Sequence, residues 1–561
     1  MRKIYSLVLF LMVGVALQSA VFASDADGNL WLPSIFGDHM VLQQGKDLPV
    51  WGKAKPGETV VVTVGEQSAE TEAGENGQWT VRLKPMPVNQ DPVEVKVTSG
   101  PETKTFKDVL VGDVWFCSGQ SNMGMGIGKM KNGKQVVSKA DHPKLRIFLM
   151  PRSVSFERAE DVNAKWVVCT PETLAPKRRG SFSAVGYYFG SSLLKDLNRP
   201  IGLIGAYDGG TRIHAWTSLE GLQSFPGKHN DTAKRVQRFL KLKSTLAQDM
   251  ERHQTVLMPE WEAKLKVYKA EMTKRYDAWE KARAQAKKEG KPMPSRPKRA
   301  KLSNAPMPPN ANYTLATVLF NAKVAPVAPY AITGAIWYQG EANCYPKLNV
   351  EYRQLLPIMI KEWRKEWGQG DFPFLYVQLP NMKTEAKHEG WWSPVRESQR
   401  SALNTPNAFM AVSIDVGDPN DLHPTVKKPI ADRLVLAAKE HVYGEDVVGT
   451  SPMIKDAQIV DGKITLNFTD IGNGLTIGQM DTDFNFSVAQ GQPANFELAG
   501  KDGKFVPAQA KIEGDTVIVW SDDLKEPMTI RYAWRNNPEP PVNLYSKEGL
   551  PASPFEISIK R

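Results

Sequence analysis

The period of the hydrophobic residues changes twice along this chain. From Leu30 to about Lys107 apolar positions alternate or cluster at strand length, in Val60-Val-Val-Thr-Val64, Trp79-Thr-Val-Arg-Leu83 and Val93-Glu-Val-Lys-Val97. Pro56-Gly57, Gly74-Glu-Asn-Gly77 and Gly100-Pro101 punctuate them. Short strands with turn signals between them predict a small β-sandwich over residues 24–107.

From Val109 the pattern becomes α/β. Val111 to Cys117, Ile201 to Ala206, Ala331 to Trp337, Phe374 to Leu379 and Phe409 to Ile414 are apolar runs of buried-strand type. Helical periodicity occupies Val185 to Leu197 and Tyr352 to Trp367. Strands alternating with helices predict a mostly parallel sheet over residues 108–445. Beyond Gly444 alternation returns in Lys463-Ile-Thr-Leu-Asn-Phe468, Asp515-Thr-Val-Ile-Val-Trp520 and Met528-Thr-Ile-Arg-Tyr-Ala533. A second, C-terminal β-sandwich is expected over 446–561.

Residues 231–309 interrupt the α/β alternation. Trp261, Leu265, Tyr268, Met272, Tyr276 and Trp279 recur at spacings of four and three, the apolar face of a long helix. Val236, Leu240 and Leu246 predict a shorter partner, so a helical hairpin is expected, closed by the Pro/Lys-rich linker from Lys291 to Pro309. The net charge of +10 resides here: Asp231 to Lys301 carries 20 Lys and Arg against 9 Asp and Glu. Without aromatic residues interleaved on a sheet or a binding motif, this basicity reads as a solvated helical face, not a nucleic-acid site.

Arg2 and Lys3, the apolar stretch from Ile4 to Leu17 and the small residue Ala23 have the form of a signal peptide over residues 1–23. Export to the periplasm or the extracellular space is therefore expected, with no membrane insertion, because no later apolar stretch has spanning length. Cys117, Cys169 and Cys344 are an odd set, and neither zinc-type Cys/His spacing nor a His-Glu-x-x-His run occurs. No metal and no cofactor are expected in the chemistry.

Four polar loops follow the predicted strands: Ser118-Gly-Gln-Ser-Asn-Met123, Asp208-Gly-Gly-Thr-Arg-Ile-His-Ala-Trp216, Trp337-Tyr-Gln-Gly-Glu-Ala-Asn343 and Asp415-Val-Gly-Asp-Pro-Asn-Asp-Leu-His-Pro424. In a parallel sheet the carboxyl ends of the strands share one edge, so these loops are expected to converge. They hold what acyl transfer needs. Ser121 reads as a nucleophile once a base takes its proton or as a plain turn residue, and His423 as a base of suitable pKa or as a helix-entry residue before Pro424. Backbone N–H groups at Ser121 and a glycine, with the side-chain amide of Gln339, suit an oxyanion. His214 is a rival base, but its place between Ile213 and Ala215-Trp216 reads as structural.

Gly119-Gln-Ser-Asn-Met123, Gly209-Gly-Thr211 with Trp216, Trp337-Tyr-Gln-Gly-Glu341 and Asp421-Leu-His-Pro424 resemble the sialate O-acetylesterase group of the SGNH (GDSL-like) hydrolases. Leu32-Pro-Ser-Ile-Phe36 with Met40-Val-Leu-Gln43 is similar to that group's opening. Asn543-Leu-Tyr545 and Gly549-Leu-Pro-Ala-Ser-Pro-Phe555 are similar to its close, so the resemblance spans nearly the whole mature chain. Position 123 is Met, which departs from the Gly-x-Ser-x-Gly elbow of α/β-hydrolases. The resemblance implies a flavodoxin-like SGNH domain with Ser121 as nucleophile, His423 as base, and Ser121, Gly210 and Gln339 around the oxyanion. The family's acid usually stands three residues before the histidine, where this chain has Asn420. Asp421 is the expected acid, with Asp418, Asp415 and Glu341 as rivals, and Glu341 alternatively an orienting group. The group's His-Pro-x-Asn-Lys pattern is broken by Val426 before Lys427.

The implied activity is removal of O-acetyl groups from an acetylated glycan through an acetyl-serine, on sialic acid or on a plant polysaccharide such as xylan, xyloglucan or pectin. A non-catalytic carbohydrate-binding protein with a degenerate core is the reading from another class. The sequence leaves oligomeric state open.

Overall fold

The five apolar runs expected as buried strands of the α/β region pair in one sheet. Its order is Ala408–Ala411, Phe374–Val377, Gly334–Tyr338, Glu102–Gly119, Ile201–Tyr207, His142–Leu149 and Trp166–Cys169. All neighbours are parallel except the last strand, Trp166–Cys169, which runs antiparallel to His142–Leu149. The computed structural model describes residues 30–175, 181–227, 230–460 and 463–560. The signal peptide expected at 1–23 lies outside the described residues.

Both faces of the sheet are covered, as near-continuous apolar strands require. Consecutive strand residues point to opposite faces, and the central strand shows it. Trp115 packs edge-on against Phe189 of the Ala184–Leu197 helix, with ring centroids 5.0 Å apart. Phe116 meets Trp363 and Trp367 of the Leu348–Trp367 helix at 5.3 and 5.1 Å on the other side. All five tryptophan and phenylalanine residues in these contacts are buried, each contributing about 1.5–3 kcal/mol by removal from water.

The Glu102–Gly119 strand serves two layers. Its first half pairs antiparallel with Asn89–Ser99 of the N-terminal β region, and its second half is the centre of the parallel sheet. The domain boundary expected between residues 107 and 108 thus falls inside one continuous strand.

The basic segment is helical from Asp231 to Lys288 but is not a hairpin. Asp231–Arg252 continues through a π-helical turn, His253–Leu257, into Met258–Lys288. Its apolar stripe is covered instead by the returning linker. The Trp261 indole donates to the Ser303 carbonyl at 2.9 Å, the Trp279 indole donates to the Pro294 carbonyl at 3.0 Å, and the Arg296 guanidinium lies 5.4 Å from the centre of the Tyr276 ring. Periodicity reveals an apolar face, not what covers it, and here an extended Pro-rich segment takes the place of a second helix.

The C-terminal region is antiparallel β, with a seven-stranded sheet and a three-stranded one. It is tied to the α/β core by the Arg396 guanidinium, which donates to the Arg535 and Asn536 carbonyls at 2.7 and 2.8 Å. All three cysteines are buried and unpaired. Among the described residues no helix is long and apolar enough to cross a membrane.

Candidate active site

Ser121 owes its position to a strand that must stop. Gly119 pairs with Tyr338 across the sheet and has φ of +143°. A Cβ at Gly119 would stand 2.2 Å from the Tyr338 carbonyl oxygen, so only glycine fits this close approach. The chain then enters a single helical turn, Ser121–Gly124, with Ser121 at its start. A first-turn N–H has no acceptor within its own helix, and among the described residues the Ser121 and Gly210 N–H groups make no hydrogen bond. The neighbouring loop is close: a Cβ at Gly209 would lie 3.3 Å from that of Ser121. Gly210 is exposed, in a left-handed conformation with φ of +74°.

His423 meets the serine from the loop after Ala408–Ala411, its Nε2 2.8 Å from Ser121 Oγ. Asp418 shapes that loop by accepting the Asn420 N–H at 2.8 Å on its carboxylate and the Asp421 N–H at 3.3 Å on its carbonyl. Partial burial holds the His423 pKa below the ordinary histidine value. The Lys427 and Lys129 charges act in the same direction, and the Asp421 charge opposes them. A neutral imidazole at hydrogen-bond distance from a hydroxyl is the arrangement general-base activation requires.

The sequence-derived acids separate clearly. Asp415 is held bidentate by Arg433 at 2.6 and 2.7 Å and accepts from the Tyr545 hydroxyl at 3.2 Å. Glu341 is buried against Asn122. Asp421, the expected acid, accepts the backbone N–H of His423 at 2.8 Å, not a ring N–H. Among the described residues no carboxylate oxygen lies within 4.0 Å of a His423 ring nitrogen. Asp421 therefore acts on the imidazole through the loop backbone and through its charge.

Beneath the serine is a buried polar chain that the sequence reading did not assemble. Lys427 Nζ donates to Asn122 Oδ1 at 2.6 Å, and Asn122 Nδ2 donates to Glu341 Oε1 and to the Leu422 carbonyl at 3.0 Å. Burial lowers the Lys427 pKa to about 7 against the raising effects of Glu341 and Asp421. Burial likewise raises that of Glu341, against its hydrogen bond from Asn122 and the Lys427 charge. The signal was present in the sequence, since Asn122 adjoins Ser121 and Lys427 lies four residues after His423.

Gln339 does not offer a free amide. It is fully buried, its Nε2 donates to the Thr211 carbonyl at 3.1 Å and to Asn343 Oδ1 at 2.8 Å, and its Oε1 accepts from the Tyr352 hydroxyl at 3.0 Å. It braces the Gly210 loop through Thr211, and both of its amide hydrogens are engaged. Asn343, which sequence reasoning passed over, also accepts the Ile213 N–H at 3.1 Å, while its own Nδ2 is buried without a partner among the described residues. His214 is structural, buried with Nε2 3.0 Å from Thr232 Oγ1.

Four strand-end loops thus converge on Ser121, as their positions in the sequence required. The carbohydrate esterase family described as sialic acid-specific acetylesterase matches residues 111–281 and 309–433, which include every residue of this site. Sialate O-acetylesterase of Mus musculus is 27% identical over 94% of each chain. That of Homo sapiens is 27% identical over 82% of this chain and 80% of its own. The crystal structure of a carbohydrate acetylesterase from Xanthomonas citri superposes with a TM-score of 0.72 and 30% identity, covering 94% of this chain and 99% of that one. The chain belongs to the sialic acid-specific acetylesterase family of carbohydrate esterases.

Proposed function

We propose that Ser121 and His423 are the catalytic pair with which this carboxylic ester hydrolase removes O-acetyl groups from carbohydrate. The observation that carries the reading is the 2.8 Å contact between Ser121 Oγ and His423 Nε2 at the convergence of four loops. Ser121 attacks the acetyl carbonyl as His423 takes its proton. The oxyanion that forms is met by the unengaged N–H groups of Ser121 and Gly210. His423 then returns the proton to the departing sugar oxygen, and later takes one from the water that releases acetate from the acetyl-serine. Gln339 holds the Gly210 loop in place for this step, and Asp421 fixes the backbone of the base.

The domain carrying this pair is, in our reading, a flavodoxin-like SGNH hydrolase with the 231–309 segment inserted. The sheet order supports it, because the chain leaves the central strand first to one side and later to the other, and ligands bind at such a reversal. The leader-like residues 1–23 support export. The sugar is read as sialic acid, on the family match and on the two mammalian relatives. Acetate release from O-acetyl sialic acid, acetylated xylan and acetylated xyloglucan, measured side by side, tests that choice. Preference for sialate is expected, and turnover confined to the plant polysaccharides would replace it.

A further inference from the structure

Arg212 stands two residues after Gly210 and one after Thr211, on the loop whose Gly209 flanks Ser121. It is half-buried, yet among the described residues it forms no ion pair and no side-chain hydrogen bond, and its Nε is buried without a partner. The nearby carboxylate of Asp231 is committed to Arg235 at 2.6 Å. An unpaired guanidinium that has lost part of its water is costly unless a ligand completes it.

Its neighbours are aromatic. The guanidinium carbon lies 5.9 Å from the centre of the Tyr345 ring. Tyr345 is 52% exposed and packs against half-buried Trp391 with ring centroids 5.8 Å apart. Tyr345 follows the Gly334–Tyr338 strand and Trp391 follows Phe374–Val377, so both stand on loops at the same sheet edge as Ser121. The Ile213–Asn343 hydrogen bond at 3.1 Å fixes the Arg212 loop to the Tyr345 loop. His388 packs on the Trp391 ring with centroids 4.2 Å apart, while the more exposed Tyr345 ring beside Arg212 offers a flat apolar face next to a planar fork of donors.

We propose that Arg212, Tyr345 and Trp391 form a sugar subsite that binds the carboxylate of an acidic sugar on the guanidinium and its ring on the aromatic pair. The proposal rests on Ser121 being the esterase nucleophile and adds how the sugar class is chosen. Guanidinium and carboxylate match as a two-bond pair, which a lysine ammonium reproduces only as a point charge.

The test compares kcat/KM for O-acetylated sialic acid with that for an O-acetylated neutral methyl glycoside. Arg212→Gln is expected to lower the acidic-to-neutral ratio roughly ten- to hundredfold, chiefly through KM, and Arg212→Lys to restore part of it. Tyr345→Ala is expected to raise KM for both sugars, leaving the ratio nearer to wild type. An unchanged ratio in Arg212→Gln would overturn the subsite while leaving the esterase reading intact. Absence of acetate release from both sugars by the wild-type enzyme would overturn the two together.

Discussion

Asn122 donates its side-chain amide to the Leu422 carbonyl at 3.0 Å, so the residue after Ser121 is tied to the residue before His423. The two loops leave different strands, and this bond fixes their spacing where Ser121 meets His423. Asn122→Ala is expected to lower kcat roughly ten- to hundredfold with little change in KM. It also strips a partner from buried Lys427 and Glu341, a loss of about 1–3 kcal/mol in stability. Steady-state kinetics on 4-nitrophenyl acetate and thermal unfolding measure the two effects separately, and an unchanged kcat would reduce the contact to a structural one.

Asp421 reaches His423 through the backbone N–H. Replacing the aspartate that orients a triad histidine costs about 10⁴ in kcat. Asp421→Asn is expected to cost about tenfold or less, because the asparagine carbonyl can still accept the same N–H. A loss near 10⁴ would show that the carboxylate turns onto the ring during turnover.

The pH profile follows from the same charges. Only neutral His423 can take the Ser121 proton, and its pKa is held below 6.5 by burial and by Lys427 and Lys129. The acid limb of kcat/KM is therefore expected below the ordinary histidine range. Lys427→Met removes a cation that disfavours imidazolium, which raises the His423 pKa and moves the limb to higher pH. Asp421→Asn removes an anion that favours imidazolium and moves it to lower pH. Shifts of the opposite sign would contradict the assignment of His423 as the base.

Gly119→Ala is expected to destabilise the protein by about 3 kcal/mol or more, since it combines φ of +143° with a Cβ 2.2 Å from the Tyr338 oxygen. Denaturant unfolding of the variant checks this, and wild-type stability would mean that the strand end shifts to make room.

Much of this was legible in the sequence because strand and helix periods are local. The apolar runs at Ile201 and Phe374 became strands, and the polar loops after them met at one edge because parallel strands leave no other arrangement. What the sequence hid was non-local. The His142–Leu149 and Trp166–Cys169 strands lack a distinctive alternation in a polar surrounding, and no pattern marks the linker as the cover of the Trp261 stripe. Gln339 looked like a free donor because its type and place suited one, whereas its partners Thr211, Asn343 and Tyr352 come together only on folding. Distance along the chain points to Asp421 as the partner of the His423 ring, and the turn sends its carboxylate to the backbone instead.

The central claim is that Ser121 forms an acetyl-enzyme with His423 as base. Its most direct test is intact-protein mass spectrometry after exposure to a fluorophosphonate, run beside acetate release from an activated acetyl ester, for the wild type and Ser121→Ala. One covalent adduct on Ser121 in the wild type is expected, with none in the variant and a fall in acetate release of about 10⁴-fold or more. An unlabelled Ser121 with wild-type turnover in Ser121→Ala would contradict the account.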